Sequence, residues 1–364
     1  VERNFSKVWR QELNPVDFLE RSGTAHADRV AVVDGNIART WREFRSRSRR
    51  LASALRAAGI KKGDRIAFLA LNSEPMLLAH FGVPQAGAIL VAINTRLSPD
   101  EIACIIEHSG ACVVFHTPEL ASLLAKVPGT VRRVDTCGEF EQFLAGGTDE
   151  RLDSWITDER DCISINYTSG TTGKPKGVMY HYRGAYLNAL AMALDHRLTA
   201  DSVYLWTLPM FHANGWTFPW ALAAVGAQSF CFPRFDPGRV WKLFEQGITH
   251  FCAAPTVLTM LVNDPAARRL DKPVRVFTAA APPSPSLLAR VVELNFEIEH
   301  IYGLTETYGP FTLNVASPKQ GNLPPDEQAR LKARQVTQMY APESCAWWMS
   351  PCATCRRTDK RWAR

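Results

Sequence analysis

No apolar run in this 364-residue sequence is long enough to cross a membrane. The longest, Met76 to Ile93, is broken by His80, Pro84 and Gln85 and carries Gly82 and Gly87, so it reads as a buried helix followed by a strand. No transmembrane segment is expected. Charge of one sign is equally scarce, with 42 Lys and Arg against 36 Asp and Glu. Half of the net +6 lies after Gln335, where Arg356, Arg357, Lys360, Arg361 and Arg364 face only Glu343 and Asp359. The rest carries too little excess to argue for a polyanion, and no nucleic-acid partner is expected. Val1 to Leu13 holds Glu2, Arg3, Lys7, Arg10 and Glu12 without an apolar core, so no export leader is expected there. Cys104, Cys112, Cys137, Cys162, Cys231 and Cys252 are scattered singly in apolar surroundings, as small core residues of a reducing compartment would be. A cytoplasmic location is the expectation.

What is present is the composition of a globular chain, 46% apolar with 22 Gly and 23 Pro, which excludes disordered and collagenous classes. At this length a core needs no metal or disulfide staple, and more than one domain can form. Helix starts are well marked. Thr40-x-x-Glu43 and Ser98-Pro99-Asp100-Glu101 are capping boxes, and Asp236-Pro237 and Ser284-Pro285 repeat the cap-plus-proline signal. The basic stretch Arg39 to Arg56 reads as a helix with Trp41, Phe44, Leu51 and Leu55 near one face and arginines on a solvated surface. Strand-like runs lie at 65–71, 89–94, 112–116, 162–168, 202–208, 229–232, 250–253, 274–279 and 297–302. Their alternation with helices predicts an α/β fold with largely parallel sheets. Two α/β subdomains are expected, 1–160 and 161–335, followed by a tail over 336–364 that has neither helical nor strand period and is expected to be disordered. The tail holds Cys345 and Cys352-x-x-Cys355, half a zinc knuckle, but no His to complete one, and an aberrant C-terminus is the better reading.

The densest chemical signal is Tyr167-Thr168-Ser169-Gly170-Thr171-Thr172-Gly173-Lys174-Pro175-Lys176-Gly177. Its glycines allow tight turns and close approach, its hydroxyls and N–H groups can cradle phosphate oxygens, and two lysines offset their charge. An ordinary polar hairpin would not need so long a string of these types. No Gly-Lys is followed by Ser or Thr, which excludes a Walker A loop, and the absence of Gly-x-Ser-x-Gly and His-Glu-x-x-His counts against a serine hydrolase and a zinc protease.

This loop resembles the signature loop of the AMP-forming acyl-activating superfamily. Pro209-Met210-Phe211-His212-Ala213-Asn214-Gly215 resembles its acyl-pocket motif, Thr278-Ala279-Ala280-Ala281-Pro282 the segment beside the adenine, and Tyr302-Gly303-Leu304-Thr305-Glu306-Thr307 the nucleotide and metal motif. The resemblance covers about 14–335 and implies the N-terminal body of an acyl-CoA synthetase using ATP, Mg2+ and coenzyme A on a carboxylic acid. It implies that Thr168, Ser169, Gly170, Thr171, Thr172, Gly173 and Lys174 hold phosphates and that Ala280, Ala281, Pro282, Tyr302 and Gly303 meet the adenosine. It makes Lys176, Thr305 and His212 catalytic, and places His212, Asn214, Gly215, Trp216 and Ala279 at the acyl pocket. Glu306 supplies the hard oxygen ligand that Mg2+ takes beside phosphate oxygens. Taken alone, a His between Phe211 and Trp216 reads as a satisfied core residue; within the motif it resembles the family's gate.

The implied reaction is attack of a carboxylate on the α-phosphorus of ATP, then thioester formation with coenzyme A. Both first reactants are anions, so charge neutralisation and positioning carry the catalysis. Ala213 to Ala224 is nearly all small or aromatic, and an apolar acid is expected, a medium-length fatty acid first, with Trp216 shortening the pocket as the alternative. No Gly-Asp follows Glu306 to serve as the family's ribose anchor, and Lys360 has no context resembling its catalytic lysine. The chain is therefore expected to be a C-terminally truncated ligase with impaired activity, or an inactive nucleotide-binding remnant.

Overall fold

The computed structural model describes residues 11–153, 156–168 and 175–314, with a few positions between 323 and 338. Ser169, Gly170, Thr171, Thr172, Gly173 and Lys174 lie outside the described residues, as does nearly all of the expected tail. Strands run in chain order as β1 (Val30–Asp34), β2 (Ile37–Thr40), β3 (Arg65–Leu69), β4 (Ile89–Ala92), β5 (Ala111–His116), β6 (Arg132–Asp135), β7 (Cys162–Thr168) and β8 (Lys176–His181). They continue as β9 (Val203–Leu205), β10 (Gln228–Cys231), β11 (His250–Ala253), β12 (Val274–Thr278), β13 (Phe296–Leu304), β14 (Gly309–Leu313) and β15 (Thr337–Gln338).

Two sheets form. One has the order β6-β5-β3-β4-β7-β8 and the other β15-β14-β13-β12-β11-β9-β10-β1-β2. Pairing is parallel through both interiors and antiparallel only at β7–β8, β13–β14, β14–β15 and β1–β2, which makes the expected α/β class with largely parallel sheets the observed one. Sheet membership crosses residue 160 in both directions. β7 and β8 complete the sheet built by β3 to β6, and the early hairpin β1–β2 joins the sheet of the later strands through β10.

Side chains of the six-stranded sheet alternate between two cores, as a pleated strand requires. Ile66, Phe68, Leu90 and Ala92 face a core shared with Val32, Tyr204 and Phe277 of the other sheet, while Ala67, Leu69, Val91 and Ile93 pack on Ile102, Ile105 and Ile106. A third core, around Trp241, Phe251 and Phe296, covers the outer face of the nine-stranded sheet. The shared core lies between the sheets, under the helices Trp41–Ala57, Glu74–Gln85 and Tyr182–Asp195.

Both capping boxes form, and Asp236 and Ser284 each accept an N–H three residues on. The helix and strand read from Met76 to Ile93 are Glu74–Gln85 and β4. Four expectations need correction. The arginines of Trp41–Ala57 are not simply solvated: Arg47 is ion-paired to Glu74 and Glu141, and Arg49 to Glu20, so they tie elements together. Cys104, Cys112 and Cys137 are exposed rather than core residues. The run at 202–208 leaves the sheet after Leu205, because Asn72 Nδ2 takes the carbonyls of Trp206 and Leu208 at 2.7 and 2.9 Å. A two-residue strand, β15, pairs with β14 inside the segment expected to have no strand.

Candidate active site

The phosphate string is flanked by two antiparallel strands, with Thr168 ending β7 and Lys176 opening β8. Its described flanks, Thr168 and Lys176, lie at the carboxyl end of a parallel sheet, where open α/β folds bind ligands. Beside them opens a cleft of about 300 Å3. Its walls bring together Thr168, His212 and Thr305, which belong to three separate motifs, and add Asn94, Asn166 and Phe211. Leu97 and Ile105 give it apolar lining, and Glu101 faces it while serving as the N-cap partner of Ser98.

Each side chain has a local reason for its place. Thr305 and Glu306 sit in a single 3-10 turn between β13 and β14. Thr307 Oγ1 closes that turn on the carbonyls of Leu304 and Gly309 and accepts the Leu304 N–H. Gly303 is required sterically, since a Cβ there would come within 1.9 Å of the Gly309 carbonyl oxygen. The turn is held from the six-stranded sheet too: Tyr180 in β8 donates its hydroxyl to the Thr305 carbonyl at 2.7 Å and stacks on Tyr308. Burial, with Tyr308 and Glu306 nearby, pushes the Tyr180 phenol well up, which keeps it a neutral donor.

His212 follows the Asn72-tethered segment, whose Met210 N–H donates to Asn72 Oδ1 at 2.8 Å. It opens on the cleft, where desolvation by the surrounding protein and then the charge of Arg96 hold its pKa below the ordinary value. That Arg96 was not foreseen. It is exposed, comes from the segment after β4, and shares with Phe211 a second cavity of about 180 Å3.

The acyl motif has a backbone that its sequence does not announce. Ala213, Asn214, Gly215, Trp216 and Thr217 all have φ between 44° and 62°, a run of left-handed residues of which only one is glycine. Such a conformation costs about 1–2 kcal/mol per non-glycine residue and persists only where its surroundings enforce it. Asn214 Oδ1 accepts from Ser164 Oγ at 2.6 Å and Asn166 Nδ2 at 2.5 Å, and its N–H donates to Asn166 Oδ1 at 2.9 Å. Gly215 packs on the Trp206 ring, and Trp216 lies against Gly309. Asn214, Gly215 and Trp216 are thus buried behind the cleft and are not among its lining residues. Ala279 is buried at the end of β12, whereas Ala280, Ala281 and Pro282 form an exposed turn beside Tyr302, because β12 and β13 run parallel in register.

The donor set fits a magnesium nucleotide. Thr168 and Thr305 place hydroxyls in or beside the cleft, exposed Lys176 adds a cation, and half-buried Glu306 a carboxylate. A single carboxylate suffices for an ion that takes one or two carboxylates and completes its shell with phosphate and water.

Residues 19–338 match the AMP-binding enzyme family. The chain is 39% identical over 355 residues to the peroxisomal acetate/butyrate–CoA ligase AAE7 of Arabidopsis thaliana, covering 89% of this chain and 62% of that protein. It is 40% identical over 348 residues to 4-hydroxybutyrate–CoA ligase 2 of Metallosphaera sedula, covering 90% and 63%. The crystallised N-terminal domain of FACL13 from Mycobacterium tuberculosis superposes with a TM-score of 0.78 at 29% identity, covering 84% of this chain and 79% of that one. The chain therefore spans less than two thirds of the length of these curated relatives. No helix among the described residues is long and apolar enough to cross a membrane.

Proposed function

This chain belongs to the AMP-binding enzyme family, and from that premise we propose that it activates a short apolar carboxylic acid by adenylation, the first half-reaction of an acyl-CoA ligase. The observation that carries the reading is the convergence of Thr168, His212 and Thr305 on one cleft. A carboxylate oxygen attacks the α-phosphorus, the bond to the β-phosphate breaks, and pyrophosphate leaves with the electron pair. Lys176 and the string Ser169 to Lys174 draw charge off the phosphates; the Thr305 hydroxyl orients the α-phosphate, and Tyr302, with Ala280 to Pro282, borders the adenosine. Glu306 is the residue to hold Mg2+, which supplies charge neutralisation at the phosphates. His212 stands between the phosphate side and the acyl side, and its lowered pKa keeps it neutral at pH 7, able to donate one hydrogen bond without binding the carboxylate too tightly. Thioester formation with coenzyme A is proposed for the whole protein.

The short acid is the alternative that Trp216 offered in the sequence, and two observations support it: Trp216 is buried in the turn after His212 with Trp206 packed on Gly215, and two relatives carry acetate, butyrate and 4-hydroxybutyrate in their names. We take the setting to be the cytoplasm, with the peroxisome of the Arabidopsis relative as the alternative that cell fractionation separates. The test is carboxylate-dependent exchange of pyrophosphate into ATP. Butyrate should support more exchange than octanoate, and a preference for dicarboxylates or amino acids would overturn the substrate assignment. ATP binding with no exchange for any acid would favour the inactive nucleotide-binding remnant.

A further inference from the structure

A row of polar side chains runs through the interior where an apolar core would be the ordinary solution. Ser164, Asn166, Asn188, Asn214 and Thr217 are each at most 3% exposed. Asn188 lies on the helix Tyr182–Asp195, in no motif. Its Nδ2 donates to Thr217 Oγ1 at 2.9 Å and to the Tyr308 carbonyl at 3.2 Å. The Thr217 hydroxyl donates to the Trp216 carbonyl, and the Thr217 N–H to that of Asn214 at 3.0 Å. Asn214 is in turn bonded to Ser164 and Asn166 on β7, the strand that leads into the phosphate string. One continuous set of hydrogen bonds thus joins the strand entering the phosphate string, the left-handed acyl turn, and the residue two after Glu306.

We propose that Asn188 and Asn214 are positioning residues that couple the nucleotide side of the cleft to the acyl side by holding the turn Ala213–Thr217 in its left-handed form. The proposal rests on the function argued above. Four of the five turn residues are not glycine, so the left-handed form is strained and depends on these hydrogen bonds to persist, which in this proposal makes the turn the element whose equilibrium both ligands bias. A nucleotide that orders the end of β7 and the Thr305–Glu306 turn fixes Asn166 and the Tyr308 carbonyl, and these are the two anchors from which the acyl turn hangs. A carboxylate then meets a turn already in place. By reciprocity the carboxylate strengthens nucleotide binding by the same factor. Neither asparagine touches substrate in this account.

The test measures the butyrate dissociation constant of the purified chain with and without Mg2+ and an ATP analogue whose α,β bridge cannot be cleaved. The ratio of the two constants is the readout. Wild type should show a ratio of about ten, within the usual range of such couplings. Thr217→Val keeps the shape of the side chain and removes only the hydroxyl, and Asn188→Ala removes the other partner; in both the ratio should fall below about two. A purely structural role would weaken butyrate binding by one factor in both conditions and leave the ratio at its wild-type value, which overturns the proposal. Thermal melting identifies a variant that does not fold, and Thr217→Val carries the test if Asn188→Ala fails. A wild-type chain that binds both ligands independently overturns the coupling alone, whereas one that binds neither overturns the adenylation reading as well.

Discussion

The two sheets meet at one cleft but furnish it in different ways. The six-stranded sheet contributes its hydroxyl and lysine chemistry from one stretch, at the neighbouring ends of β7 and β8, with Asn94, Leu97 and Ile105 of the segment after β4 lining the cleft beside it. The nine-stranded sheet contributes Phe211, His212 and Ala213 after β9 and Thr305 at the end of β13, from strands that run parallel to one another through β11 and β12. A continuous stretch keeps its chemistry within one local element. An assembled half depends on what holds its pieces, and here those holds come largely from the opposite sheet: Asn72 on the segment before His212, Asn166 on Asn214, and Tyr180 on Thr305.

The largest effect should come from the tie between the two halves. Arg47 bonds Glu74, whose N–H donates to Asp34 of β1 in the nine-stranded sheet, and both partners of the ion pair are largely buried. Arg47→Met leaves the Glu74 carboxylate uncompensated and should cost about 3–5 kcal/mol in chemical denaturation. A loss below 1 kcal/mol would mean that this tie does not hold the halves together.

Acid should act on each half through a buried histidine. Burial lowers His80, on the helix beneath the six-stranded sheet, and His250, in β11, to about 4. The unfolded chain takes up these protons first, so their contribution is complete above about pH 6.5 and lost as pH falls toward 4, on the order of 3 kcal/mol each. Glu299, raised by burial to about 7, works in the opposite sense: its contribution is complete below the ordinary carboxylate range and lost as pH rises through 7. His250→Gln should flatten the fall between pH 6.5 and 4.5, read from denaturation midpoints; an unchanged slope would clear His250.

Gly303→Ala strikes the assembled half alone. A Cβ pressed on the Gly309 carbonyl should cost about 1–3 kcal/mol and displace Thr305 and Glu306, so ATP binding should weaken as well. The smallest effect belongs to a local feature remote from the cleft. Thr40→Ala removes one capping box at about 1 kcal/mol and should leave nucleotide affinity at the wild-type value.

What was legible in the sequence divides along the same line. The nine strand-like runs all formed, because buried parallel strands are short apolar runs between marked helices. The missed strands lacked that signature: β6 is Arg-Arg-Val-Asp, β8 continues the lysines of the phosphate string, and β14 opens on Gly-Pro. The β1–β2 hairpin did carry a signal, Asp34-Gly35, with Gly35 at φ 59°. Motif residues can be read as kinds of chemistry, but not as depths: Asn214 and Trp216, expected at the acyl pocket, are buried and are not among the residues that line the cleft. Asn72, Arg96 and Asn188 had no local signal, since their significance lies in partners tens of residues distant.

The central claim, one nucleotide site assembled from both sheets, is tested most directly by the affinity of the chain for Mg2+-ATP in Lys176→Ala and Glu306→Ala, one substitution on each side. Calorimetric titration should show each weakening ATP by roughly ten- to a hundredfold, the scale of a lost contact to a charged group. Weakening by Lys176→Ala alone, with Glu306→Ala binding as wild type, would contradict it.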